Sequence, residues 1–175
     1  RPAARIHTIV YTHHHVDHVC GAPLVVADAK RRGHAPPRIV GHARVAAHFA
    51  RYAATAGYNE HINRRQFRLP PQWRFPHTRR HLLPPTDALR LDVGERRVLR
   101  VGHVEVHVVH ECGETDDALY VYIPHARVLC TGDLFVWTLP NCGNPQKQQR
   151  YAPAWRDALR RMAAVDAAVL LPGHG

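Results

Sequence analysis

Thr12-His13-His14-His15-Val16-Asp17-His18 carries the strongest chemical signal in the chain. Residues 6–11 before it are rich in β-formers and predict a buried strand, so the motif falls where that strand should end. Its form is H-x-H-x-D-H. On an extended segment, residues two apart point the same way, so His13 and His15 can grip one metal ion. Asp17 and His18 stand where the chain should enter a helix and can turn toward a second ion beside the first. Imidazoles and a carboxylate are suitable zinc ligands. The competing account is a flexible surface patch of histidines, which sits poorly with the end of a buried strand. His14 lies between ligands and is given no role.

Three further segments each close a predicted strand on a possible ligand. His110 follows residues 104–109, Asp133 follows 128–132, and His174 follows 169–173. A single buried histidine is more often structural, and an aspartate after Thr-Gly is more often a turn residue. Together with the first motif they complete a set of seven. The rest of the chain alternates strands with helices: helix over 22–32 with Asp17 as a possible cap, strand over 38–41, and helix over 43–54. Strands follow near 89–91, 97–101, 104–108, 118–123 and 127–130, then a helix over 155–164 and a strand over 167–171. That order predicts an α/β domain, in which ligands collect at the carboxyl ends of strands. Residues 55–87, with Pro70-Pro71, Pro76 and Pro84-Pro85, read as a long irregular decoration over one face. Residues 135–152 read as a second long loop.

With these motifs the sequence resembles the metallo-β-lactamase superfamily of hydrolases. The matching residues are His13, His15, Asp17 and His18, then His110, then Asp133 in Thr-Gly-Asp, then His174 in Pro-Gly-His-Gly. The motif spacing is similar to that of glyoxalase II-like members, apart from a longer stretch between His18 and His110. The resemblance implies an αββα sandwich. It implies one zinc held by His13, His15 and His110, a second held by Asp17, His18 and His174, and Asp133 bridging them. Asp17 and Asp133 are then the candidate catalytic carboxylates. The implied chemistry is hydrolysis of an ester, thioester, amide or lactone-type bond by a hydroxide shared between two metals. Residues 113–117, 130–135 and 140–151 also resemble an alkylsulfatase-like subgroup. Proven alkylsulfatases place glutamates where His110 and Asp133 stand, so a sulfate ester is not the expected substrate. Superfamily strands normally precede the first motif and a helix normally follows the last histidine. The expectation is therefore one domain over 1–175, truncated at both ends.

Residues 114–117 follow the His110 turn and divide evenly between orienting ligands and serving as ordinary turn chemistry. Trp137, Asn141, Lys147 and Arg150 in the loop after Asp133 are candidate substrate contacts, with Lys147 or Arg150 suited to an anionic group. Net charge is +10, and every basic residue except Lys30 and Lys147 is arginine. The arginines are dispersed pairs without interleaved aromatics, which argues against nucleic acid and for a composition bias; the expected partner is a small-molecule substrate. Cys20, Cys112, Cys130 and Cys142 form no C-x-x-C pair and read as free thiols in a reducing, cytoplasmic setting. No apolar run is long enough to span a membrane. Oligomeric state is not legible. Two rival activities remain on this fold: iron-dependent persulfide oxidation, whose enzymes share the histidine pattern, and nuclease activity. Intact ligand positions argue against a non-catalytic remnant.

Overall fold

The structure, a computed structural model, describes residues 4–143 and 150–174. Two sheets organise it. β1 (Thr8–Val10), β2 (Arg38–His42) and β3 (Asp87–Leu89) run parallel in one. β4 (Arg96–Val101), β5 (Val104–Glu111), β6 (Ala118–Ile123), β7 (Val128–Gly132) and β8 (Val169–Pro172) form the other in sequence order. This second sheet is antiparallel except for its last pair.

Side chains alternate across the strands, as a pleat requires, and here both faces are buried. Val108, Leu119 and Val121 point one way and pack with Val40, Leu89, Leu91 and Leu99, filling the space between the sheets. Val109, Ala118, Tyr120 and Leu129 point the other way and pack under Trp155, Ala158 and Met162 of α5 (Ala152–Ala163). The first sheet is covered on its outer side by α1 (Val16–Val19), α2 (Ala22–Arg31) and α3 (Val45–Ala54), through Val19, Ala22, Val45, Phe49 and Tyr52. The layers are helix, sheet, sheet, helix, as expected for an αββα sandwich. β8 is one edge strand of the second sheet, with Val169, Leu170 and Leu171 exposed.

Three sequence expectations are corrected. Residues 55–87 are not irregular throughout, because α4 (Ala56–Phe67) occupies the first part. Its only buried residue is Ile62, so it shows almost no apolar periodicity. Polar contacts hold it instead. Asn59 Nδ2 donates to Thr55 O at 3.1 Å, Asn63 Nδ2 to Asn59 O at 2.8 Å, and Glu60 pairs with Arg64 at 2.7 Å. Second, Asp17 does not cap a helix over 22–32. It lies in the first turn of the short α1, and neither α1 nor α2 has a side-chain cap. Third, the strand before His110 does not end there. β5 continues to Glu111, and His110 pairs with Leu119 inside the ladder.

Trp155 joins the last helix to the loop that follows Asp133. It is 3% exposed and its Nε1 donates to Leu134 O at 2.7 Å. Trp155→Ala should cost about 3–5 kcal/mol, read as a lowered urea midpoint. Trp155→Phe keeps most of the ring and should cost about 1–3 kcal/mol for the stranded carbonyl. Equal losses in the two variants would assign the effect to the hydrogen bond rather than to packing.

A candidate two-metal centre at the strand ends

Beyond β1 the chain turns sharply, and His13 is carried inward until it is 2% exposed. Its Nε2 comes within 2.9 Å of His15 Nδ1, so the two rings aim at one point. Glu114 meets them there, with Oε2 3.5 Å from each nitrogen. Beside this group lies a second. His174 Nε2 is 3.2 Å from His18 Nε2 and 3.0 Å from Asp17 Oδ2, and His18 Nε2 is 3.3 Å from Asp17 Oδ2. Asp133 stands between the two groups: its Oδ2 is 3.8 Å from His13 Nε2, 3.3 Å from His18 Nε2 and 3.6 Å from His174 Nε2.

Close backbone approach makes this convergence possible. Gly132 has φ +51, and a Cβ there would meet Thr12 at 2.6 Å. A Cβ on Gly173 would lie 2.4 Å from Asp133 Oδ1. The glycines beside Asp133 and His174 therefore let the ends of β7 and β8 close on the first motif.

Six of the seven expected ligands come together. The exception is His110. Residues 108 and 110 share a face of β5, so His110 points into the layer between the sheets. Its ring stacks on His42 at 4.1 Å and its Nδ1 is 2.9 Å from Ala118 O. Among the described residues the first donor group is His13, His15, Glu114 and Asp133, and the second is Asp17, His18 and His174. Glu114, and not His110, lies among the candidate donors. The sequence held the signal in Gly113-Glu114-Thr115-Asp116-Asp117, which follows the strand directly.

The donors are prepared for a cation. Burial holds His13 well below the usual histidine range, helped by the neighbouring His15, and it brings His15 down to about 3. Both are then neutral imidazoles, the form that binds metal. Burial also pushes the Glu114 carboxyl up to about 8, against the opposing pull of Arg150. Burial alone would lower His18, but its hydrogen bonds to Asp133 and Asp17 prevail and raise it to about 10. Glu114 Oε2 and Asp133 Oδ1 are enclosed and accept no hydrogen bond. Buried carboxylate oxygens without donors are costly unless they pair or coordinate a metal. Orphaned oxygens beside the neutral imidazoles of His13 and His15 fit a divalent ion.

A third group, His14, His48 and Asp117, also lies close enough to suggest a metal. Its geometry excludes one. The His14 and His48 rings stack 3.7 Å apart with planes 10° from parallel, whereas a metal must lie in the plane of each imidazole it binds. His14 Nδ1 is already 2.9 Å from Asp117 Oδ1. His48 Nε2 reaches Asp116 Oδ1 at 2.6 Å, and Arg44 reaches Asp116 Oδ2 at 2.7 Å. This buried stack fixes the loop that carries His13 and His15, which is the role of His14.

The centre opens into a cleft of about 770 Å³, walled by α3, α4 and residues 69–75. Arg150 lines it, with a guanidinium nitrogen 2.6 Å from Glu114 Oε1. Trp137 (71% exposed) and Asn141 do not line it, and Lys147 lies outside the described residues.

The family model described as "Metallo-beta-lactamase superfamily" matches residues 1–174. The chain belongs to that superfamily. No curated protein matches it by sequence. Solved structures share its fold. The stereoselective inverting sec-alkylsulfatase Pisa1 from Pseudomonas sp. is 20% identical with a TM-score of 0.77, over 100% of this chain and 30% of that one. A metallo-beta-lactamase family protein from Thermus thermophilus is 24% identical with a TM-score of 0.63, over 97% of this chain and 55% of that one. The protein TTHA1623 in a di-iron-bound form is 20% identical with a TM-score of 0.60, over 96% of this chain and 69% of that one. The chain thus spans less than a third of the sulfatase.

Metal stoichiometry separates Glu114 from His110. Glu114→Gln should leave fewer than two metals per chain after dialysis, measured by elemental analysis. His110→Leu should lower stability, by stranding the Ala118 carbonyl, while two metals stay bound. The opposite pattern would restore His110 to the ligand set.

Proposed function

We propose that this chain forms the catalytic centre of a dinuclear zinc hydrolase acting on an ester, thioester, amide or lactone-type bond. The observation that carries the reading is the position of the Asp133 carboxylate, which reaches the donors of both groups through one oxygen. In this assignment His13, His15 and Glu114 hold one ion, and Asp17, His18 and His174 hold the other. When bound, the ion pair supplies Lewis acidity and a water made nucleophilic at neutral pH.

The remaining work falls to the chain's own residues. Asp133 would help hold both ions and would orient an attacking water, its negative charge offsetting their mutual repulsion. Arg150 holds Glu114 in place from the cleft side, and its cation can face charge that develops on the substrate. The Asp117–His14–His48 stack keeps His13 and His15 in register. The walls of the cleft exclude bulk water from the reacting bond.

A sulfate ester is a second substrate reading, favoured by Glu114. The sequence argument against it rested on His110 and Asp133 standing where alkylsulfatases use glutamate; Glu114 lines the site in place of His110, while Asp133 remains an aspartate. The likeness in fold to a sec-alkylsulfatase is consistent with this reading. A panel of thioesters, lactones, β-lactams, carboxyl esters and secondary alkyl sulfates, assayed on metal-loaded protein, decides between the classes. Elemental analysis should give about two zinc ions per chain. Iron with persulfide-dependent oxygen uptake would move the assignment to a redox enzyme.

Two variants test Asp133. Asp133→Asn keeps the shape but removes the charge, and should lower turnover by orders of magnitude without unfolding the chain. Asp133→Ala should also lose the metal held by Asp17, His18 and His174. Unchanged turnover with two metals retained in Asp133→Ala would show that another residue joins the groups.

A further inference from the structure

Arg51 projects from α3 into the same cleft, yet its surroundings differ from those of the arginines near it. Arg150 is paired with Glu114 at 2.6 Å and Arg44 with Asp116 at 2.7 Å. Every aspartate and glutamate of the chain lies among the described residues, and none forms an ion pair with Arg51. The guanidinium is nevertheless held in place. One terminal nitrogen sits 3.3 Å from His14 Nε2, and Cζ lies 4.8 Å from the centre of the Tyr52 ring. Asp117 takes the proton-bearing side of His14, so Nε2 is left to accept from Arg51. Arg51 Nε is enclosed with no acceptor of its own. A part-buried cation, oriented by an imidazole and an aromatic face but without a counter-charge, is a site prepared for an oxyanion.

The cleft beyond it has a largely apolar wall, with Thr55, Asn59, Asn63 and Gln66 as its polar members. Ile62 and Phe67 of α4 and Leu69, Trp73 and Phe75 of the following segment line its wall. The metal centre forms the other end, reached through His14, whose neighbours in sequence are the two ligands His13 and His15.

We infer that Arg51 binds a second, non-reacting anionic group on the substrate, such as a carboxylate carried on an apolar body, while the scissile bond lies at the metal centre. This deepens the hydrolase reading and rests on it for the word substrate; the binding itself does not depend on turnover. The alternative role for Arg51 is structural, holding His14 alone, and the two roles differ in what they do to ligand charge selectivity.

The test is calorimetric titration of metal-loaded protein with 6-phenylhexanoate and with its neutral counterpart 6-phenylhexanol. The parent protein should bind the carboxylate more tightly. Arg51→Gln should reduce that preference by about 10- to 100-fold, and Arg51→Lys should recover part of it. Arg156→Gln removes a charge from the exposed face of α5 and should leave the preference as it was. Overturning results are a preference unchanged in Arg51→Gln, an equal loss for acid and alcohol, an equal loss of preference in Arg156→Gln, or no binding of either probe by the parent. A protein that hydrolyses nothing in the panel but loses carboxylate selectivity in Arg51→Gln sinks only the hydrolase reading. One that hydrolyses its substrate and shows no Arg51 effect sinks only this inference.

Discussion

Burying a carboxylate oxygen without a donor is among the more expensive things a fold can do. This fold does it at Glu114 Oε2 and Asp133 Oδ1, in the site that also holds the neutral imidazoles of His13 and His15, and again at Asp117 Oδ2 behind it. Without a cation the arrangement is poorly compensated, because the His18 proton can serve only one side of it. With two divalent ions the buried oxygens and imidazole nitrogens gain partners. Much of the surrounding structure keeps these groups where they would otherwise not stay.

The supporting structure has two parts. Behind the first motif, Asp117 fixes His14, His14 stacks on His48, and Asp116 ties His48 to Arg44. This stack connects the metal loop, α3 and the segment after β5, so a shift in one is transmitted to the others. In front, Gly132 and Gly173 leave space that any side chain would fill, and the ends of β7 and β8 close on the first motif. The inward faces of both sheets and the outer helices then make the site rigid by packing rather than by covalent links, since Cys20, Cys112, Cys130 and Cys142 are all free.

The cleft shows how the same scaffold separates chemistry from selection. The donors come from segments that directly follow strands, and the positions of those strands are fixed by hydrogen-bonded register. The walls come from α3, α4 and the segment after them, outside both sheets. Changes in those walls need not disturb the candidate metal donors, and a fold that separates the two in this way can carry different functions. No helix among the described residues is long and apolar enough to cross a membrane.

The sequence alone determined the layered α/β class, most strand positions and six of the residues that converge on the candidate site. Those features depend on local properties: alternation, apolar runs, turn residues and the spacing of His13, His15, Asp17 and His18. Three things were decided by tertiary structure. α4 escaped notice because it buries only Ile62 and is held by side-chain to backbone bonds that leave no periodic pattern. Arg51 and Trp73, far apart in sequence from each other and from the motifs, become cleft residues only when α3, α4 and the following segment fold together. The choice between His110 and Glu114 turned on strand length and parity. Two added residues of β5 place His110 in the ladder, facing His42 between the sheets, and leave Glu114 to enter the site from the loop beyond. Pairing with β6 sets where β5 ends, and that is a long-range constraint the local sequence does not contain.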